Sequence, residues 1–234
     1  MADRPILFSA PMVRALLEGR KTQTRRIIKP RGHASLFDGT WSDSYVLDPG
    51  NALWRARDVR FKVGDRLYVR EAWRVEARLD KKAPRDIKTN YPGVKYIATD
   101  EPDFFGIEGK YRQAMHMPRW ASRITLLVTD VRVERLQDCS EEDAIAEGIF
   151  VIPINDDVRS NFYDQDWAKA LPDNTIFYSA PDDDDDHCMR LKAVEAYERL
   201  WNSINDERGL GWETNPWVVA VTFEVLKQNI DEVV

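Results

Sequence analysis

The chain has 234 residues, enough for one large domain or two small ones, and its 43% hydrophobic and 32% charged residues are the balance of an ordinary globular protein. No run of about 18 apolar residues occurs, which excludes a transmembrane helix. The short apolar patch in MADRPILFSAPMV lacks the length of a secretory signal. The net charge of −6 divides unevenly, since residues 1–137 carry 27 Lys and Arg against 17 Asp and Glu, and residues 138–234 carry 7 against 23. Asymmetry of this kind points to a basic face for an anionic partner and an acidic half that keeps the chain solvated or meets a protein partner. Cys139 and Cys188 form no CxxC or Cys/His pattern, a usage that fits a reducing, cytoplasmic compartment.

Along the chain, Ile6, Leu7 and Phe8 predict a short strand. Ser9 is placed to cap a helix, with Pro11 in its first turn, Met12, Val13, Leu16 and Leu17 as its apolar stripe and Gly19 at its C-terminal stop. The basic run Arg20-Lys21-Thr22-Gln23-Thr24-Arg25-Arg26 then reads as a loop. Residues 31–60 are punctuated by Gly, Ser and Asp and read as loop with one hairpin near Asp38-Gly39. Gly64-Asp65 is a turn into a strand in which Leu67, Val69 and Glu71 alternate with Tyr68, Arg70 and Ala72, and Tyr96 to Thr99 suggests another strand. The β-branched run Ile124 to Leu136 is the clearest strand of all. Ser140-Glu141-Glu142-Asp143 opens a helix that Gly148 closes, and residues 150–188 read as an insertion. Leu191, Val194, Tyr197, Leu200, Trp201 and Ile204 keep helical spacing from Met189 to Asn205, and Trp217 to Leu226 is a final strand. The sum is an α+β chain with a mixed or barrel-like sheet.

Three segments of this chain, Gly19 to Arg26, Gly64 to Glu71 and Met117 to Arg123, together with Glu142 to Gly148 and Asn215-Pro216-Trp217-Val218, resemble the ASCH domain family of the PUA-like superfamily, with the larger phage and prophage members most similar. The resemblance implies a single domain over residues 1–234, a PUA-like mixed β-barrel with flanking helices and insertions at about 31–60 and 150–188. It also implies function, because the family includes RNA binders, nucleases and a small amidohydrolase that acts on N4-acetylcytidine using a Thr, a Lys and a Glu. Lys21 and Thr24 match that loop and Glu147 matches the helix position before Gly148.

The residue chemistry allows several roles. A threonine hydroxyl becomes a nucleophile only when a base accepts its proton, which a neutral Lys21 amine can do for Thr24, with the Glu147 carboxylate orienting the ammonium. Repulsion from Arg20, Arg25 and Arg26 favours the neutral amine. The same basic run serves equally to hold a phosphate or a base, or is a solvated surface. Arg119 and Trp120, with Arg123 nearby and Arg70 and Glu71 on another strand, form a second cluster. Arginine neutralises phosphate and forks onto base edges, an indole stacks on bases, and Glu71 can accept from an exocyclic amine. Core packing is the alternative for the tryptophans, and it is the expectation for Trp201 and Trp217. His33, His116 and His187 are scattered without metal-ligand spacing, Asp182 to Asp186 lacks EF-hand order, and no P-loop, dinucleotide or nucleophile-elbow motif occurs. No metal and no cofactor are therefore expected. The expected partner is RNA, a single-stranded nucleic acid or a modified nucleoside, with no membrane, and with hydrolysis of an N4-acylated cytidine, RNA cleavage or protein contact as the other readings.

Overall fold

The computed structural model describes residues 2–32, 35–99, 108–154, 172, 175–181 and 190–233. His33, His187, Cys188, the run Asp182 to Asp186 and most of the 150–188 insertion lie outside the described residues. In chain order the elements are β1 (Asp3–Leu7), α1 (Ala10–Leu17), β2 (Gln23–Ile27), α2 (Asp43–Leu47), α3 (Ala52–Arg55), β3 (Arg66–Arg70), β4 (Trp73–Arg74), β5 (Lys95–Tyr96), β6 (Thr125–Arg135), α4 (Glu141–Ala146), β7 (Phe150–Pro153), β8 (Ile176–Ser179), α5 (Ala193–Asn205) and β9 (Trp217–Leu226). Five strands form one mixed sheet in the order β1-β3-β6-β9-β2, with β1 parallel and β6 antiparallel to β3. The pairs β4–β5 and β7–β8 are separate antiparallel ladders. The fold is α+β, and among the described residues the sheet closes no barrel. No described helix is long and apolar enough to cross a membrane.

The chain divides into two compact units, residues 1–22, 59–132 and 221–234 in the first and 23–58 and 133–220 in the second. In the first, α1 buries Met12, Val13, Ala15 and Leu16, the stripe its spacing predicts. Ser9 holds the extended backbone of a cap but makes no side-chain cap bond. Gly19, at φ +79°, turns the chain so that the N–H groups of Gly19 and Arg20 return to the carbonyls of Leu16 and Ala15. On β3, Leu67 and Val69 are buried while Arg66, Tyr68 and Arg70 are half-buried, so the period-2 pattern sets which residues face outward. The strand expected at 96–99 is confined to β5, since Ile97–Thr99 forms a 3-10 turn. Trp73, Val75, Ile87, Met117 and Ala121 form a buried cluster, with Leu79, Tyr96 and Trp120 packed against it.

The second unit corrects two expectations. The basic run is only partly a loop, because Gln23–Ile27 is strand β2 with Gln23, Thr24 and Arg25 buried. The hairpin near Asp38-Gly39 is replaced by the helices α2 and α3. Ser42 accepts from the Tyr45 amide to cap α2, and Arg55 of α3 donates to the carbonyls of Val46 and Asp48, closing the α2 end. The Ser-Asp start of α2 was the local signal for helix over hairpin. Helix α4 begins as read, with Ser140 accepting from Asp143 N–H. Helix α5 starts four residues after Met189, where Glu141 accepts the Ala193 amide at 2.6 Å in place of a local cap. It buries Ala196, Tyr197, Leu200 and Trp201, and Trp217 is buried too, its ring edge-on to Phe37 at 5.8 Å.

Candidate functional site

Strand β2 carries a buried ionic hub in the second unit. The Arg25 side chain is 0% exposed, and its guanidinium meets Glu134 at 2.7 Å, Asp143 at 2.8 Å and Glu147 at 3.3 Å. Gln23 accepts from it at 2.7 Å and donates in turn to Asp143 at 3.1 Å. Asp143, in the first turn of α4, and Glu147, its C-cap, stand four residues apart, which places them on one helix face, and Glu134 comes from β6. A guanidinium cut off from water needs this many acceptors, because burial alone disfavours its charge. Burial does pull on Arg25, but the carboxylate of Glu147, with Glu134 behind it, outweighs burial and holds the guanidinium above its usual range. Neighbouring groups feel the reverse. Burial first, with the nearby carboxylates and against Arg25, pushes the Cys139 thiol up to about 12. Burial and then Glu147 hold the Tyr197 hydroxyl well above its ordinary range. Neither is a nucleophile at neutral pH.

All three residues of the expected trio are buried, Lys21 at 1%, Thr24 at 0% and Glu147 at 3%. Thr24 and Glu147 belong to the second unit. The Thr24 hydroxyl accepts from the half-buried Arg26 Nη1 at 2.9 Å, and the same nitrogen donates to the Arg25 carbonyl at 3.1 Å. Burial lowers Arg26, with Glu147 and Tyr197 opposing. Glu147 is engaged by Arg25. Lys21 lies in the first unit, where its ammonium sits 5.6 Å from the Phe8 ring centroid. Arg20 is paired with Glu18 at 2.6 Å. Thus Arg25, read from sequence as part of a nucleic-acid-binding run, instead spends its charge inside the protein. Glu134, Asp143 and the Arg26–Thr24 bond were not singled out beforehand. The alternation of Thr22, Thr24 and Arg26 against Gln23 and Arg25 was the signal for a strand with two unlike faces.

In the first unit the residues of the second predicted cluster have separate partners near β3. Arg119 lies over the Tyr68 ring at 5.6 Å and binds Asp231 and Asp3, each at 2.6 Å. Arg66 grips the same Asp3 with two bonds of 2.8 and 3.0 Å. Arg123 forks onto Glu71 at 2.9 and 3.0 Å, donates to Thr99 at 2.9 Å, and covers the Tyr96 ring at 4.0 Å. Glu71 is 1% exposed, and burial raises its carboxyl against the pull of Arg123. Both Glu71 oxygens are therefore committed to Arg123, not turned toward an incoming amine. Arg70 donates to the Met115 carbonyl, and Trp120 is half-buried on the Trp73 cluster. Tyr68 and Tyr96, the rings beneath the arginines, were read from the sequence only as strand residues, and Asp3, Arg66 and Asp231 were not singled out as site residues at all.

Among the described residues no group of His, Cys, Asp and Glu side chains is spaced to hold a metal ion, and the carboxylates around Arg25 enclose a guanidinium. Searches of protein-family models, of curated proteins and of solved structures found no match to the chain.

Proposed function

We propose that the chain is an ASCH-type, PUA-like protein that binds RNA or another single-stranded nucleic acid through the β3 face of its first unit. The observation that carries this reading is that two part-exposed arginines near β3 lie over tyrosine rings and are held there by carboxylates, Arg119 over Tyr68 with Asp3 and Asp231, and Arg123 over Tyr96 with Glu71. Guanidinium groups fixed by carboxylates and rings lose little freedom when a phosphate arrives, and a guanidinium plane is itself a surface on which a base stacks. The test is anisotropy of a labelled 12-mer oligoribonucleotide across a salt series. Binding is expected to weaken steeply with salt and to fall about tenfold in Arg70→Ala, with the fold intact by circular dichroism. Binding that ignores salt, or no binding, overturns the reading.

One observation favours a second reading, amide hydrolysis on an N4-acylated cytidine. A cationic donor on the Thr24 oxygen stabilises the alkoxide that an attacking threonine becomes, and Arg26 supplies that donor. Lys21 would take the proton, and Glu147 belongs to the buried network beside Thr24. Incubation with N4-acetylcytidine, followed by mass, is expected to show loss of the acetyl group. That loss should be absent in Thr24→Val and Lys21→Ala. An unaltered substrate with wild-type protein removes this reading.

A further inference from the structure

We propose that Trp73 and Arg112, in the first unit, form a binding site for a small oxyanion, a phosphate or a carboxylate group, apart from both functional readings above. The two residues exchange both backbone amide bonds, at 3.0 and 2.9 Å, as directly opposed residues of an antiparallel contact do. The guanidinium carbon lies 5.4 Å from the Trp73 ring centroid. Both residues are buried, Trp73 at 0% and Arg112 at 6% exposure. The η nitrogens of Arg112 donate to carbonyls of the turn Ala77 to Lys82, Nη1 to Lys82 at 3.2 Å and Nη2 to Leu79 at 3.0 Å and Lys82 at 3.3 Å. Its Nε–H and the Trp73 indole N–H have no acceptor among the described residues.

A buried donor without an acceptor costs free energy, and a buried guanidinium without an opposite charge costs more. Arg25 shows the satisfied case, with its three carboxylates. Arg112 meets no carboxylate among the described residues. The acids of its surroundings serve other groups. Glu76 accepts from the Tyr91 hydroxyl and pairs with Arg78, Glu108 meets Arg74 at 2.6 Å, and Asp80 accepts the Lys110 amide at 2.9 Å. Lys81 and Lys82, on the turn that holds the guanidinium, are exposed and make no ion pair among the described residues. The site thus presents positive charge and two N–H donors and lacks a negative charge and an acceptor, and an oxyanion supplies both. A metal cation would be repelled there, and a neutral apolar molecule would leave both donors as they are.

The test is the indole region of the proton–nitrogen correlation spectrum of the full chain, dialysed into sodium chloride, in which the Trp73 peak is the one that Trp73→Phe removes. Sodium phosphate and sodium acetate are titrated separately, with sodium chloride at matched ionic strength as control. The Trp73 peak is expected to move downfield and saturate with phosphate, acetate or both, and to stay in place with chloride. Saturation with phosphate alone identifies a phosphate-bearing ligand, and with acetate alone a carboxylate. In Arg112→Gln, checked for its fold by circular dichroism, the saturable shift should be lost. A Trp73 peak that neither oxyanion moves, or that chloride moves equally, overturns the proposal, and so does a folded Arg112→Gln that saturates as the wild type does. The wild-type titration decides by itself if Arg112→Gln does not fold.

Discussion

Arg25 shows how a single residue changes meaning between sequence and structure. Within GRKTQTRRI it reads as one of several interchangeable cations. In the fold its guanidinium meets three carboxylates, with Gln23 holding both it and Asp143 in place. Replacing it with an apolar residue of similar length leaves those carboxylates buried without their counter-charge. Arg25→Met is therefore expected to destabilise the protein by about 3–5 kcal/mol, the usual cost of removing one partner of a buried pair. Urea unfolding at pH 7 measures it, and a loss under about 1 kcal/mol would show that water reaches the cluster. Burial keeps Cys139 a thiol although Arg25 lies nearby, since it outweighs the help the guanidinium gives its thiolate.

At the scale of elements, α4 organises the hub although it is only six residues long. A helix this short has little intrinsic stability, so its caps and its packing against α5 carry it. Ser140 satisfies the Asp143 amide at 3.1 Å, and Glu141 reaches across to the first amide of α5. Three acidic residues occupy its first turn, where the helix dipole favours them, and two of them also serve contacts elsewhere. Ser140→Ala is expected to cost about 1 kcal/mol, read as a lowered melting temperature, because it removes a cap and loosens the helix that aims Asp143 and Glu147 at Arg25. An unchanged melting temperature would mean that Glu141 and the α5 contact hold α4 by themselves. Strand β2 makes the complementary point. Its Gln, Thr and Arg residues have poor claim to a buried strand by hydrophobicity, and what makes them one is the set of acids waiting on α4 and β6.

For the whole molecule, the division of charge along the sequence becomes a division of labour. The basic first 137 residues supply Arg70, Arg119 and Arg123 near β3. The acidic remainder supplies Asp143 and Glu147 to the hub, so part of the −16 of residues 138–234 serves to neutralise Arg25 and is not displayed. Three phosphates neutralised by these arginines predict a slope of about −2 for log affinity against log salt on a single strand.

The elements whose formation depends on neighbours in sequence were legible before folding: α1 from its stripe and Gly19, β3 from its alternation, β6 and β9 from β-branched runs, and α4 from Ser140. So was the placement of Trp201 and Trp217 in the core. Local propensity and period are short-range properties, and the chain carries them wherever it goes. What the tertiary structure alone decided was which charges survive at the surface. Whether Arg25 faces solvent, whether Glu71 has oxygens to spare, and whether Trp41 is core or surface each depend on groups about 50 to 120 residues away or on helices that replaced an expected hairpin. A buried charge chooses its partners by distance in space, over a few ångströms, and separation along the chain says almost nothing about that distance.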